Sequence, residues 1–169
     1  MIKRIAWAVV FMIAASLLQS TVLSWLRIYI YAVPDIALCI LIYSAYVNGV
    51  MTGQLGGFFS GVFIDFLSAA PLGLNAFIRT LTGALTGLLK GTFFLDTVFL
   101  PMILCALATI FKAGILFFLN IFYAEAVPSY SFFALTFWAE LGLNTVLAPF
   151  LFALLKLCSS LLTGQGEKS

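Results

Sequence analysis

The stretch GVMTGQLGGFFSGVFIDFLSAAPLGLNAFIRTLTGALTGLLKG, Gly49 to Gly91, decides how this chain folds. It carries two runs of small residues on one spacing. Gly49, Gly53, Gly57 and Gly61 lead to Asp65, and Asn75 and Arg79 lead to Gly83, Gly87 and Gly91. Residues four apart stack on one face of a helix, so each run is a nearly smooth stripe with polar groups at one end. Pro71 and Gly73 lie between the two polar ends and predict a turn there.

Antiparallel helices joined at that turn bring the stripes together term by term. Asp65 then faces Arg79, Gly61 faces Gly83, Gly57 faces Gly87 and Gly53 faces Gly91. This register matches opposite charges as well as glycines. The stripe drifts by about 40° per step, so helices packed along it cross at an angle, as glycine-mediated contacts in membranes often do. The expectation is a tightly packed hairpin with an ion pair near one membrane face, held chiefly by Gly57, Gly61, Gly83 and Gly87. Its other faces, with Phe58, Phe59, Phe63 and Phe66, are left for lipid or a partner's helix.

The rest of the chain is as apolar as this stretch. Of 169 residues, 64% are hydrophobic and 8% charged, with a mean hydropathy of +1.19, too apolar for a soluble domain. Apolar segments recur at the length that crosses ~30 Å of hydrocarbon. The fold expected is all-α: a polytopic membrane protein with six transmembrane helices in one compact bundle over residues 1–163 and a disordered cytoplasmic tail over 164–169. A net charge of +2 with scattered basic residues gives no footprint for nucleic acid. There is no histidine for a metal site or a catalytic triad, and Cys39, Cys105 and Cys158 each sit in an apolar segment, where a thiol is a small hydrophobe. No phosphate-binding loop, magnesium-type carboxylate cluster or nucleophile–base pair is present, so neither an enzyme nor a cofactor is expected.

Lys3 and Arg4 precede an apolar run from Ile5 to Leu26 that is too long for a signal-peptide core and lacks a small-x-small cleavage site. We read an uncleaved first span, roughly Ile5 to Trp25. Pro34 and Asp35 open the second, which runs to about Val50, and the third covers about Gly53 to Ala69 after a link at Asn48 to Gln54. The fourth runs from Leu74 or Asn75 to Lys90. The fifth, capped by Asp96 and Thr97 with Pro101 in its first turns, reaches Tyr123, and the sixth runs from Phe132 to Lys156 with a kink at Pro149. External segments carry Arg27, Tyr29 and Tyr31, and then Glu125 to Ser131. Lys3, Arg4, Lys90, Lys156 and Lys168 fall on the other side, which makes both termini cytoplasmic. Asp35 reads as an interfacial charge favoured by the dipole of its helix, in preference to a partner contact.

Four charges fall within spans: Asp65, Arg79, Lys112 and Glu140. Each is costly in hydrocarbon and must face the bundle interior or a partner. At ~1.5 Å per residue, Asp65 and Arg79 both lie about 7 Å below the outer turn. Lys112, about 22 Å up from the inside, matches Glu140, about 10 Å down from the outside. Two ion pairs that fix helix register are one reading; the other makes Asp65, Asn75 and Arg79 a polar site for another membrane protein or a ligand. An ion relay lacks titratable groups in the inner half. If Asp65 and Arg79 pair, removing both costs less than removing either.

The segment from Gly56 to Phe77, GGFFSGVFIDFLSAAPLGLNAF, resembles the most recognisable stretch of the bacterial rod shape-determining MreD family, with a glycine-rich span ending in aspartate, a short turn and a Gly-Leu-Asn-Ala restart. Asp65, Pro71, Gly73 and Asn75 match the family motif, and the Pro34-Asp35 entry, length and hydropathy also resemble it. The resemblance implies a non-enzymatic inner-membrane member of the cell-elongation machinery that binds MreC, and through it MreB, RodA and a class B penicillin-binding protein. It leaves open a homodimer and a lipid or small molecule at the outer polar cluster. The family is also similar in fold to the S components of energy-coupling-factor transporters, so the alternative is a vitamin-binding S component. Against it, Ala6, Ala8, Ala14 and Ala15 provide no Ala-x-x-x-Ala, and the outer loops are short.

Overall fold

Ten consecutive residues, Ala37 to Tyr46, are buried on every side of one helix, and the rest of the fold is arranged around it. A segment this apolar all round has no face to offer solvent and belongs at the centre of a bundle. The computed structural model describes residues 2–20, 33–68, 71–92, 98–123, 127 and 132–157. The expectations placed on Trp25, Arg27, Tyr29, Tyr31, Asp96, Thr97, Glu125, Cys158 and the tail at 164–169 lie outside these residues.

Among the described residues there are six helices and no strand: α1 (Ile2–Leu18), α2 (Ile36–Asn48), α3 (Val50–Leu67), α4 (Leu74–Leu88), α5 (Phe99–Phe122) and α6 (Leu135–Leu157). Three of them, α3, α5 and α6, are long and apolar enough to cross a membrane, and α2 and the Ile5–Leu18 part of α1 are shorter apolar helices. The chain is a membrane protein. Helix α2 touches all five others. Its core partners include Met12 from α1, Cys105 and Ala108 from α5, and Ala148 and Phe152 from α6, with Tyr43 meeting the Phe152 ring edge-on at 5.2 Å.

Helices α2 and α3 are separated by one residue. Gly49 has φ 100°, a left-handed backbone that an L side chain resists, and its N–H donates to Ala45 O at 2.7 Å. The link is therefore shorter than the Asn48–Gln54 connection expected. Lys90 Nζ donates to Asn48 O at 3.1 Å, which places a cation on the last carbonyl of α2, where the helix dipole favours it. Pro101 is the third residue of α5, where its missing N–H costs nothing, and α6 continues through Pro149.

Helices α3 and α4 form the most extensive contact in the fold, and they approach at backbone distance as the glycine stripes predict. The register differs from the expected one by two steps of four. Gly53 faces Gly83, Gly57 faces the backbone of Arg79 and Thr80, Gly61 faces Asn75 and Ala76, and Gly87 faces Gly49 and Val50. Gly91 lies beyond α4 at φ 74° with nothing near it, so it takes no part in helix packing. The physical reason is that a glycine notch accepts any backbone. The peptide groups flanking Arg79 and Asn75 fill the notches at Gly57 and Gly61 as well as a second glycine would. Phe58, Phe59 and Phe66 face outward, and Phe63 is half-buried.

Candidate functional site

The tighter register carries Asp65 past Arg79 to the start of α4. That helix begins at Gly73, which has φ 95° and no side chain with which to cap it. Asp65 supplies the cap from the neighbouring helix. Its Oδ2 accepts from the Gly73 N–H at 2.9 Å and the Ala76 N–H at 3.2 Å, and its Oδ1 accepts from the Asn75 N–H and Asn75 Nδ2, both at 2.9 Å. A carboxylate at a helix N-terminus satisfies otherwise orphaned donors and is stabilised by the helix dipole. Gly73 is needed for its left-handed backbone, and Pro71 turns the chain toward it, its carbonyl accepting from the Leu74 N–H at 3.1 Å. Asp65, Pro71, Gly73 and Asn75 thus form one capped turn, without Arg79.

The expected Asp65–Arg79 pair is therefore replaced. Arg79 Nη2 donates to Asp35 Oδ1 at 2.6 Å across to the start of α2, and both side chains are buried. Asp35 is buried and paired, where a charge free at the end of its helix was expected. It caps its own helix, accepting from the Leu38 N–H at 3.0 Å, and its Oδ2 accepts from Lys112 Nζ at 3.1 Å. Lys112 also donates to Glu140 Oε1 at 2.7 Å, joining α5 to α6. The two separate pins become one four-charge network, Arg79–Asp35–Lys112–Glu140, that ties α2, α4, α5 and α6 together.

Asn144 extends the network. Its Oδ1 accepts from the Asp35 N–H at 2.8 Å, and its Nδ2 donates to Thr109 Oγ1 at 3.0 Å. Thr109 in turn donates to Cys105 O at 2.8 Å. Asp35 as hub and Asn144 were not among the expected site residues. A signal for Asn144 was present, because it follows Glu140 by four residues and so shares its helix face.

Two carboxylates and two cations leave the network formally neutral, which suits a buried register lock more than a cation or anion store. Among the described residues no group of three metal-ligating side chains comes together. Outside the network, a groove of about 550 Å³ runs along the α3–α4 hairpin between Phe58, Val62, Phe66, Leu72 and Phe77, with Asp65 at its edge. It is apolar because the two backbones touch and only the flanking side chains rise to form walls.

The Asp65 cap yields a direct prediction. Asp65→Ala leaves the donors at Gly73, Asn75 and Ala76 without their acceptor and is expected to destabilise the protein on the order of 3 kcal/mol. Asp65→Asn, which keeps one acceptor oxygen, is expected to recover part of that. Thermal unfolding in detergent, followed by size-exclusion chromatography, measures both. Mutual rescue between Asp65→Ala and Arg79→Ala is no longer expected, since the two side chains share no partner; their effects should add.

Neither curated proteins nor solved structures provide a match to this chain. The family model described as rod shape-determining protein MreD matches residues 1–158. With nearly the whole chain covered, and with the capped turn at Asp65 to Asn75 lying inside the match, this membrane protein belongs to the MreD family of rod shape-determining proteins.

Proposed function

We propose that the protein is a six-span, non-enzymatic scaffold of the inner membrane, with both termini cytoplasmic, that binds MreC within the bilayer and thereby links it to the cell-elongation and peptidoglycan-synthesis machinery. The observation that carries this reading is the outer surface of the α3–α4 hairpin. Its backbone contact leaves Phe58, Phe66 and Phe77 as exposed walls of an apolar groove inside the family's most recognisable segment. Between helices in lipid, close packing of small and shape-complementary surfaces supplies the attraction, and such a groove can receive side chains of a single-span partner. Six spans are supported by the six helices and by the basic residues flanking alternate ends.

A photo-crosslinking residue at Phe66 or Phe77 in cells tests it. Capture of MreC, lost when the probe moves to an outward position on α6 such as Phe150, is the expected outcome. Capture of a transmembrane coupling subunit with paired ATPases would overturn the scaffold reading and favour a vitamin-binding component.

A further inference from the structure

Two heights of apolar surface meet in this bundle, and the charge network sets one against the other. Arg79 of α4 and Lys112 of α5 share Asp35, at 2.6 and 3.1 Å, so the two residues lie at one level. At ~1.5 Å per residue, α4 reaches its first cap, Gly73, about 9 Å outward of that level, while α5 continues about 15 Å outward to Phe122. Inward, α4 ends at Leu88 after about 14 Å, and Phe99 of α5 lies about 20 Å away. Helix α5 therefore overshoots α4 by about 6 Å at each end.

The exposed side chains follow the same division. On α3 they run from Met51 to Leu67, about 24 Å, and the 15 residues of α4 rise about 22 Å. On α5 they run from Phe99 to Phe122, about 35 Å, and on α6 from Leu135 to Leu157, about 33 Å. Polar groups close the short face at both ends. Ser68 and the turn capped by Asp65 stand outside, and Gln54 and Lys90 stand inside, with the Lys90 ammonium held on the Asn48 carbonyl at 3.1 Å.

A hydrocarbon core of ~30 Å treats the two faces differently. A helix longer than the slab fits by tilting, and a tilt of about 30° brings 35 Å within it. A shorter helix gains nothing from tilt, which lowers its height further. Nor can α3 and α4 slide apart to lengthen the hairpin, because backbone contacts at Gly53, Gly57 and Gly61 fix one on the other. The bilayer itself must then come in by about 6–8 Å beside α3 and α4, or hydrocarbon must cover their polar ends.

We infer that the α3–α4 face thins the bilayer beside it and is fitted by phospholipids with short acyl chains, whereas α5 and α6 are fitted by longer ones. The bundle is a wedge in height, low at the hairpin and tall at α5 and α6. A bilayer strained in this way favours covering the low face, so the mismatch adds to the attraction felt by any partner span seated in the groove between Phe58, Phe66 and Phe77.

The test is lipid competition read separately at each face, on the full chain in phosphatidylcholine vesicles. A bimane fluorophore is attached at Phe59→Cys on α3 or at Ile110→Cys on α5, both exposed positions, with Cys158 changed to alanine and the buried Cys39 and Cys105 left in place. A nitroxide-labelled phosphatidylcholine quenches the fluorophore, and dimyristoleoyl or dierucoyl phosphatidylcholine competes with it. At Phe59 the short-chain lipid is expected to relieve quenching about threefold more effectively than the long-chain one. At Ile110 the long-chain lipid is expected to compete at least as well as the short. Leu85→Cys, exposed on α4, should repeat the Phe59 result. Equal competition by both lipids at Phe59 and Leu85, or one ratio common to both faces, overturns the inference. No partner protein is present, so failure here leaves the MreC reading untouched.

Discussion

Asp35→Ala is expected to be the most damaging single substitution of an ionisable residue, lowering stability by about 3–5 kcal/mol, because it strands a buried cation. Lys112 retains Glu140 when Asp35 is removed, but Arg79 has no other described counter-charge. The same substitution removes the side-chain cap on the Leu38 N–H at the start of the central helix. Asp35→Asn separates the two contributions. Asparagine is a good N-cap and should keep the Leu38 bond, so its remaining defect measures the lost charge. Combining Asp35→Ala with Arg79→Ala should cost clearly less than the sum of the two single variants, since neither charge is then left alone. Thermal unfolding in detergent gives the cycle, and rod-shape complementation in cells lacking the native protein gives its consequence. A single variant within about 1 kcal/mol of the parent would show that Arg79 finds another partner.

The sequence makes some of this legible and hides the rest for identifiable reasons. Glycines four apart state that two backbones touch, and Pro71 with Gly73 states where the chain turns, so the α3–α4 hairpin is predictable as an object. Its register is not, because a notch at Gly57 is filled equally well by the peptide after Arg79 as by Gly87. Matching Asp65 to Arg79 by charge then fails, since a carboxylate near a turn can be satisfied by backbone N–H groups that no composition count reveals. Counting residues gives the depth of Lys112 and Glu140 and brings them level. Depth says nothing about position around the bundle, and that is why Asp35, on a different helix at a similar level, is missed as the acceptor common to Arg79 and Lys112. The central place of α2 could be read from the uncharged run between Asp35 and Asn48, whose ten buried residues leave no face for lipid.

Gly53→Val is expected to lower stability by about 3 kcal/mol, near the upper end for overpacking, and to abolish shape function with it. A Cβ at Gly53 would lie 2.6 Å from the Gly83 carbonyl carbon and would overlap the carbonyl oxygen, with the Ala45 Cβ of α2 at 2.9 Å on the other side. Two of these neighbours are backbone and none is the end of a flexible side chain, so no rotamer change can make room. The helices must separate or slide. Separation loosens Gly57 from Arg79 and Gly61 from Ala76 in the same step, and so displaces the guanidinium that holds Asp35 and the donors that hold Asp65. Gly83→Val would overlap the Gly53 carbonyl in the reciprocal contact and should be equally harmful. The controls are Gly114→Ala on α5 and Gly142→Ala on α6. A Cβ there meets nothing within 4 Å, and replacing a helical glycine with alanine should leave stability unchanged or raise it by about 0.5–1 kcal/mol. If Gly53→Val unfolded no sooner than Gly114→Ala, backbone contact would not be what joins the hairpin, and the Asp65 cap and the charge network would have to hold α4 in place instead.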